Sequence, residues 1–373
     1  MSLRTPLCDL LGIDYPIVQS GMGGVAGPEL VAEVSKAGGL GIIAGLELPP
    51  DRVREAVRAV RRLTDRPFGV NLWLHSEMRP PIDMSAVPEA RVRSVQNTLN
   101  GFRERLGLPA TQARPSSLPD IIDAAFEVVL EERVPVFSIA LGNPSADMVR
   151  RCHERGIKVI AMIGSVEDAR TVVGAGVDAV VAQGSEAGGH RSTWVKTSRP
   201  EGVATIALVP QVVDAIRAPV IAAGGIADGR GLIAALALGA QGVMLGTRFV
   251  ATRESAAPEF RKKAVLEAES ETTTLTDSVT GLWGRYLRNT FVAEYDASGA
   301  PVLPALVQAH AAQDIFAAAA RRQDPAWLPM ATGQSVGLIR DVPGAGEVVE
   351  TIVREARAVL AGLARLAPPG ARP

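Results

Sequence analysis

The chain has 373 residues, 47% of them hydrophobic and 21% charged, with a formal net charge of −1. That balance argues against nucleic acid or an anionic membrane surface as the main partner, and two cysteines, Cys8 and Cys152, are too few for a disulfide framework or a metal spacing. No stretch approaches the ~20 uninterrupted apolar residues of a membrane span and none reads as a signal peptide, so a cytoplasmic protein without a membrane partner is expected.

In chain order, "YPIVQS" from Tyr15 reads as a strand, followed by a glycine-rich turn and a helix over 28–37. Pro28 suits the first helical turn, where its missing N–H costs nothing. Gly21, Gly23 and Ala26 match G-x-G-x-x-[GA], the dinucleotide-binding fingerprint. That fold also expects an acid after the second strand; Glu47 stands near the right distance but lies beyond Gly45 in a Pro-bounded loop, and is set aside. A tight turn that needs glycines and holds no ligand is the other reading. "GLGIIA" from Gly39 is the second strand, and the helix over 50–63 interleaves Arg with acids as a solvated face does. "PFGVNL" from Pro67 is the third.

Residues 74–119 interrupt the pattern with Pro-rich edges, "RPPID" and "QARPSSLP", around a helical middle. A helix over 118–132 leads to "VPVFSIA" from Val134, then a helix over 146–155, "KVIAMI" from Lys158 and a helix over 166–174. "AVVAQG" from Ala179, a helix over 206–216, "PVIAAG" from Pro219, a helix over 230–238 and "GVMLGT" from Gly242 follow. These strands are continuously apolar, as in a parallel sheet buried on both faces. Eight β-α units fit a closed (β/α)8 barrel better than a doubly wound sheet. The expected organisation is a barrel over 1–253 carrying the insertion, and an extension over 254–373 packing on it. In the extension, "FRKKAVLEAE" and polar "SETTTLTDS" precede aromatic-bearing segments and the amphipathic "AGEVVETIVREARAVLAGL". Insertion and extension serve as lid and wall, or only as structure.

The barrel predicts where chemistry gathers, at the C-terminal ends of the strands. The seventh strand ends in Gly224-Gly225, with Asp228 placed to cap the next helix, and the eighth runs into Gly246-Thr247. These two loops form the usual phosphate site of such barrels; close helix–strand packing through small residues is the alternative. Gln183 ends an apolar run, so its amide should point over the barrel mouth, and Gly188-Gly189 lets backbone approach a flat ligand ahead of His190. Glu186 and Arg191 in the same loop fit a surface charge as well as a site role. Asn71 ends the third strand, where an unpaired amide is not tolerated. Of the other histidines, His75 is expected at the surface, while His153 and His310 read as structural. Neither cysteine has a setting that activates a thiolate. There is no metal cluster and no G-x-S-x-G elbow. A phosphate cradle, convergent amides and one histidine point to a phosphate-bearing cofactor, and FMN fits that set.

The order "PIVQSGMGG", "GVN", "AQGSEAGGH", "AAGGIADG", "GVMLGTRF" resembles the nitronate monooxygenase family, formerly 2-nitropropane dioxygenases. The FMN-dependent enoyl-acyl-carrier-protein reductases share the pattern. The resemblance covers about residues 5–253, with a weaker echo in "GQSVGLIRDVP". It implies that Gly21, Met22 and Gly23 line the flavin. Asn71 and Gln183 then hydrogen-bond the isoalloxazine or ribityl chain, and Gly188 passes close to it. Gly225, with Gly224 beside it, and the turn through Met244, Gly246 and Thr247 hold the phosphate, and His190 is the active-site histidine. Family members often carry a second histidine in an S-F-H-F-G-like segment; here "FSIALGNP" puts Ala140 at about that place. Three activities stay open: FMN-dependent oxidation of alkyl nitronates by oxygen, NAD(P)H-dependent reduction of an enoyl thioester or quinone, and flavin binding without turnover. A homodimer is compatible with the sequence but not read from it.

Overall fold

A computed structural model describes residues 3–46, 48–195 and 201–366; Glu47 lies outside them. Its strands are β1 (Ile17–Gln19), β2 (Gly41–Ala44), β3 (Phe68–Trp73), β4 (Val136–Ala140), β5 (Lys158–Ile163) and β6 (Ala179–Gln183). They continue as β7 (Gly189–His190), β8 (Val220–Ala223), β9 (Gly242–Leu245), β10 (Thr273–Thr276) and β11 (Gly284–Leu287). Eight of them pair in parallel in the order β1-β9-β8-β6-β5-β4-β3-β2. A bridge between Val18 and Leu40 joins the ends, with Gln19 N donating to Leu40 O at 2.8 Å and Leu40 N to Ile17 O at 2.9 Å. The sheet is therefore a closed (β/α)8 barrel, as the eight apolar runs predict. Every residue of β1, β2, β4, β6, β8 and β9 is buried, which is why these strands do not alternate. The opening glycine motif is the first βα turn of this barrel.

After β9 the chain makes only a short helix, Thr247–Val250. The long helix Ala345–Ala364 completes the outer ring instead, packing between helices Gly229–Ala237 and Pro28–Lys36. Val348, Val349, Ile352, Val353 and Ala356 are its buried stripe, the i, i+4 spacing of a helix with one apolar face. The rest of the extension joins the insertion around a second core. There Val92, Val95, Leu99 and Phe102 of helix Glu89–Arg105 meet Phe291, Tyr295 and Ile315. Arg103, almost wholly buried in that helix, donates to Asp314, to Gln96 and to the Ala311 carbonyl. The helix expected over 118–132 forms as Ile122–Glu131, and residues 108–121 before it belong to no helix or strand.

β7 leaves the barrel. It pairs antiparallel with β11, which pairs with β10, so the loop after β6 is strapped to the extension. Inside the barrel wall, Gly41 is held against helix Pro28–Lys36, and a Cβ there would collide with the Val31 carbonyl. Gly41→Ala is expected to destabilise the fold by about 1–3 kcal/mol, the usual cost of overpacking. The measurement is the denaturant midpoint, and an unchanged midpoint would mean that the contact between helix and strand yields without cost.

Candidate active site

The C-terminal ends of the barrel strands open into a cavity of about 630 Å³, within the usual range for cofactor and substrate sites. Gly21, Met22, Gly23, Asn71, Gln183, Gly188, His190, Gly224, Gly225, Met244, Gly246 and Thr247 all line it, so the residues singled out in the sequence converge on one place.

Each is positioned for a local reason. Gly21 lies against Asn71, whose Cβ would stand 2.8 Å from a Cβ at residue 21. Asn71 Nδ2 donates to Ser138 Oγ at 3.0 Å, which fixes the amide at the end of β3. Gln183 clamps the loop after β6: its Nε2 donates to His190 O and its Oε1 accepts from Ser192 N, both at 2.8 Å. Gly224 and Gly225 take φ of +105° and +73°, a region that favours glycine. Asp228 caps the following helix by accepting from Arg230 N and Gly231 N. Gly188 needs to be glycine because residues Thr332 and Gly333 of the extension press on it. Thr247 Oγ1 accepts from Gly333 N at 3.0 Å, so the extension also seals the turn after β9.

His190 is enclosed but opens part of its surface onto the cavity. Its Nε2 stands 2.8 Å from Thr280 Oγ1 and 3.2 Å from the Tyr286 hydroxyl. Trp73 meets the ring edge-on, centroids 4.5 Å apart at 70°. Burial, with a smaller contribution from His75, lowers the His190 pKa to about 4, because the charged form loses its hydration. The ring is neutral at pH 7. Burial likewise holds the Tyr286 phenol protonated, well above its usual range.

Two sequence expectations change in detail. His75 is fully buried rather than at the surface. Its Nδ1 accepts from Glu77 N, and the extension covers it through Ala305 N on Glu77 Oε2. Glu186 and Arg191 both hold the loop: Glu186, which also lines the cavity, accepts from Thr205 N and Oγ1 at the start of helix Thr205–Ala215, and buried Arg191 donates to Gly184 O. His153 pairs with Asp178 at 2.9 Å, and burial pushes the Cys152 thiol up to about 12, so neither enters the site.

Sequence reasoning missed Trp73, Thr280, Tyr286 and Arg261, all of which line the cavity. Arg261 is notable physically. Its Nε is buried with no hydrogen-bond partner, and burial lowers its pKa with only Tyr286 acting the other way. Its helix, Glu259–Glu267, packs against Thr247–Val250 and Gln334–Leu338, beside the turn after β9. Among the described residues no group of three or more His, Cys, Asp or Glu side chains is arranged to hold a metal ion, and no helix is long and apolar enough to cross a membrane.

A family profile described as nitronate monooxygenase matches residues 4–355. A probable nitronate monooxygenase of Staphylococcus saprophyticus is 35% identical over 362 residues, 96% of this chain and 99% of that one. Among solved structures, a nitroalkane oxidase from Streptomyces ansochromogenes superposes with a TM-score of 0.86 at 34% identity, covering 96% and 99% of the two chains. FabK from Thermotoga maritima gives 0.76 at 33% identity, covering 98% and 99%.

Proposed function

The chain belongs to the nitronate monooxygenase family of flavin-dependent oxidoreductases, and from that premise we propose that it uses FMN to oxidise alkyl nitronates with oxygen to carbonyl compounds and nitrite. The observation that carries this reading is one cavity holding two things, a glycine cradle beside an arginine whose buried Nε has no partner, and a neutral histidine.

The residues fit the cofactor. Gly224 and Gly225, left-handed at the end of β8, and Gly246, whose missing side chain would meet little but Met22 at 3.5 Å, leave backbone open for a phosphate. Arg261, half-buried on the cavity wall with its Nε buried and unpartnered, would gain the partner it lacks from an anion in that corner, since a buried donor left unpaired is costly. In this reading Met244, Gly246 and Thr247 hold the phosphate with Gly224 and Gly225. Gly21, Met22 and Gly23 line the ring system, Gly188 passes close to it, and Asn71 and Gln183 reach the isoalloxazine or ribityl chain. When bound, FMN supplies an acceptor for an electron from the nitronate and passes reducing equivalents to oxygen.

His190 then deals with the anion. The Thr280 and Tyr286 hydroxyls both lie at Nε2; with one of them donating to its single lone pair, the ring proton is on Nδ1, where it would be available to a nitronate oxygen. Trp73 fixes the plane of the ring.

The likeness to FabK favours a second reading, NAD(P)H-dependent reduction of an enoyl thioester or quinone. Anaerobic stopped-flow on the purified holoprotein separates the two. Rapid flavin bleaching by propyl-2-nitronate with slow bleaching by NADH and NADPH is the expected result; rapid bleaching by a pyridine nucleotide alone would establish the reductase.

Arg261→Gln is expected to weaken FMN binding roughly 10- to 100-fold, the range for losing a charged hydrogen-bond partner, and to leave riboflavin binding unchanged. Flavin fluorescence released on dilution measures both. Equal losses for the two flavins, or none, would remove Arg261 from the phosphate.

A further inference from the structure

A second, smaller cavity of about 130 Å³ lies beside the main one, and Leu46, Trp73 and Leu306 line both. The rest of its lining is almost wholly apolar. Leu72 comes from β3, Met78 and Leu118 from the insertion, and Ile122 and Ala125 from helix Ile122–Glu131. His310 is its one ionisable group. A space of this size and lining resembles engineered cavities of ~150 Å³ that stay dry and bind benzene, since water there would find too few polar partners.

The partition between the cavities is also unusual. Leu306 sits at φ +60°, a conformation that a branched residue keeps only when its surroundings hold it there. Those surroundings are part of the site: Leu306 N donates to Thr280 O at 2.7 Å, and Thr280 Oγ1 contacts His190. The neighbouring Ala305 N is tied to Glu77 Oε2. The side cavity thus begins where the wall carrying the His190 partner ends.

We propose that this side cavity is a subsite for an unbranched alkyl chain, so that the chain turns past Trp73 and Leu306 while the reacting carbon stays beside His190. The alkyl assignment follows from the lining: nothing along Leu72, Met78, Leu118, Ile122 and Ala125 offers a hydrogen bond to a polar substituent, and each methylene placed there leaves water. The proposal rests on the nitronate reading for the identity of the reacting group and makes its substrate an n-alkyl nitronate longer than the smallest homologues.

The test is a series of n-alkyl 1-nitronates from two to eight carbons, assayed with the holoenzyme and with Ala125→Phe and Leu118→Trp. Ala125 lies on the helix wall of the side cavity, and half-buried Leu118 lines it from outside any helix or strand. For the wild type, kcat/KM should rise about fourfold per added carbon, the equivalent of ~0.8 kcal/mol per buried methylene, and then level off once the cavity is full. Both variants should keep full flavin and unchanged values for the shortest nitronates, but level off earlier. A flat wild-type series overturns the proposal, and so does a rise that both variants share. The same variants are titrated with n-alkyl carboxylates, read as a shift in flavin absorbance. If nitronates are not turned over, the reaction assignment fails, and chain-length-dependent binding that the variants shorten still supports the subsite. Length-independent binding overturns it.

Discussion

His190→Asn is expected to stay yellow and to lose about 10²- to 10⁴-fold in nitronate turnover, the usual range for a proton-handling side chain. The backbone of residue 190 is held without its ring: its carbonyl accepts from Gln183, and β7 pairs with β11. The loop should therefore survive, and flavin content should match the wild type. What disappears is the imidazole held edge-on by Trp73 between two hydroxyls and the cavity. Asparagine offers one short amide in its place and cannot exchange a proton. The pH profile gives a second readout. With the free-enzyme pKa lowered to about 4 by burial, the ring is neutral from pH 6 upward, and protonation removes that form only as pH falls through about 4. With preformed nitronate, the wild-type kcat/KM should show no loss attributable to this group between pH 8 and 6. An unperturbed histidine, titrating near ~6.5, would lose activity across that interval. Near-normal turnover of a fully loaded His190→Asn would leave the loop merely structural.

The barrel and its loops were legible in the sequence because parallel strands buried on both faces leave uninterrupted apolar runs, and the glycines at 188, 224, 225 and 246 mark where backbone must turn or approach closely. What the sequence hid is long-range. Helix Ala345–Ala364 has an obvious apolar stripe, yet nothing local says that it stands roughly a hundred residues on from β9 as the missing member of the ring. The pairing of β7 with β11 joins residues far apart through two-residue contacts that carry no pattern of their own, and with it come Thr280 and Tyr286. His75 reads as a surface residue because it stands in the loop that enters the insertion; it is fully buried, where the extension reaches that loop through Ala305 N on Glu77 Oε2. Arg261 did leave a trace. Within "FRKKAVLEAE", Lys262 pairs with Glu259 and Lys263 with Glu267. Arg261 instead has Ala257, Pro258, Ala264 and Val265 at the i±3 and i±4 positions, so no acid stands at pairing distance along its own helix face. A cation denied a local partner on a half-buried helix is a reason to look for an anion elsewhere.

Gly225→Val is expected to give folded, colourless protein. Two effects act together at this residue. Gly225 holds φ +73° next to Gly224 at +105°, and a β-branched residue at positive φ is a genuine outlier, costing on the order of 1–3 kcal/mol if forced. Relaxing it means rotating the peptide units that face the cavity, which turns the proposed phosphate donors away. If the backbone does not relax, a Cβ at this position stands 3.5 Å from the Glu186 Cβ, and the valine methyls enter the cavity volume that the phosphate needs. Either route removes the cradle. Folding itself should survive, because the helix that follows is capped independently by Asp228 on Arg230 N and Gly231 N. Gly225→Ala meets the same strain with far less bulk, so it should bind FMN more weakly than the wild type and more tightly than Gly225→Val. Flavin absorbance per chain and the denaturant midpoint are measured on all three proteins. Loss of colour with a midpoint that falls no further than the strain requires is the expected pattern. A fully loaded yellow Gly225→Val would move the phosphate away from the end of β8, and Arg261 would then need another anion.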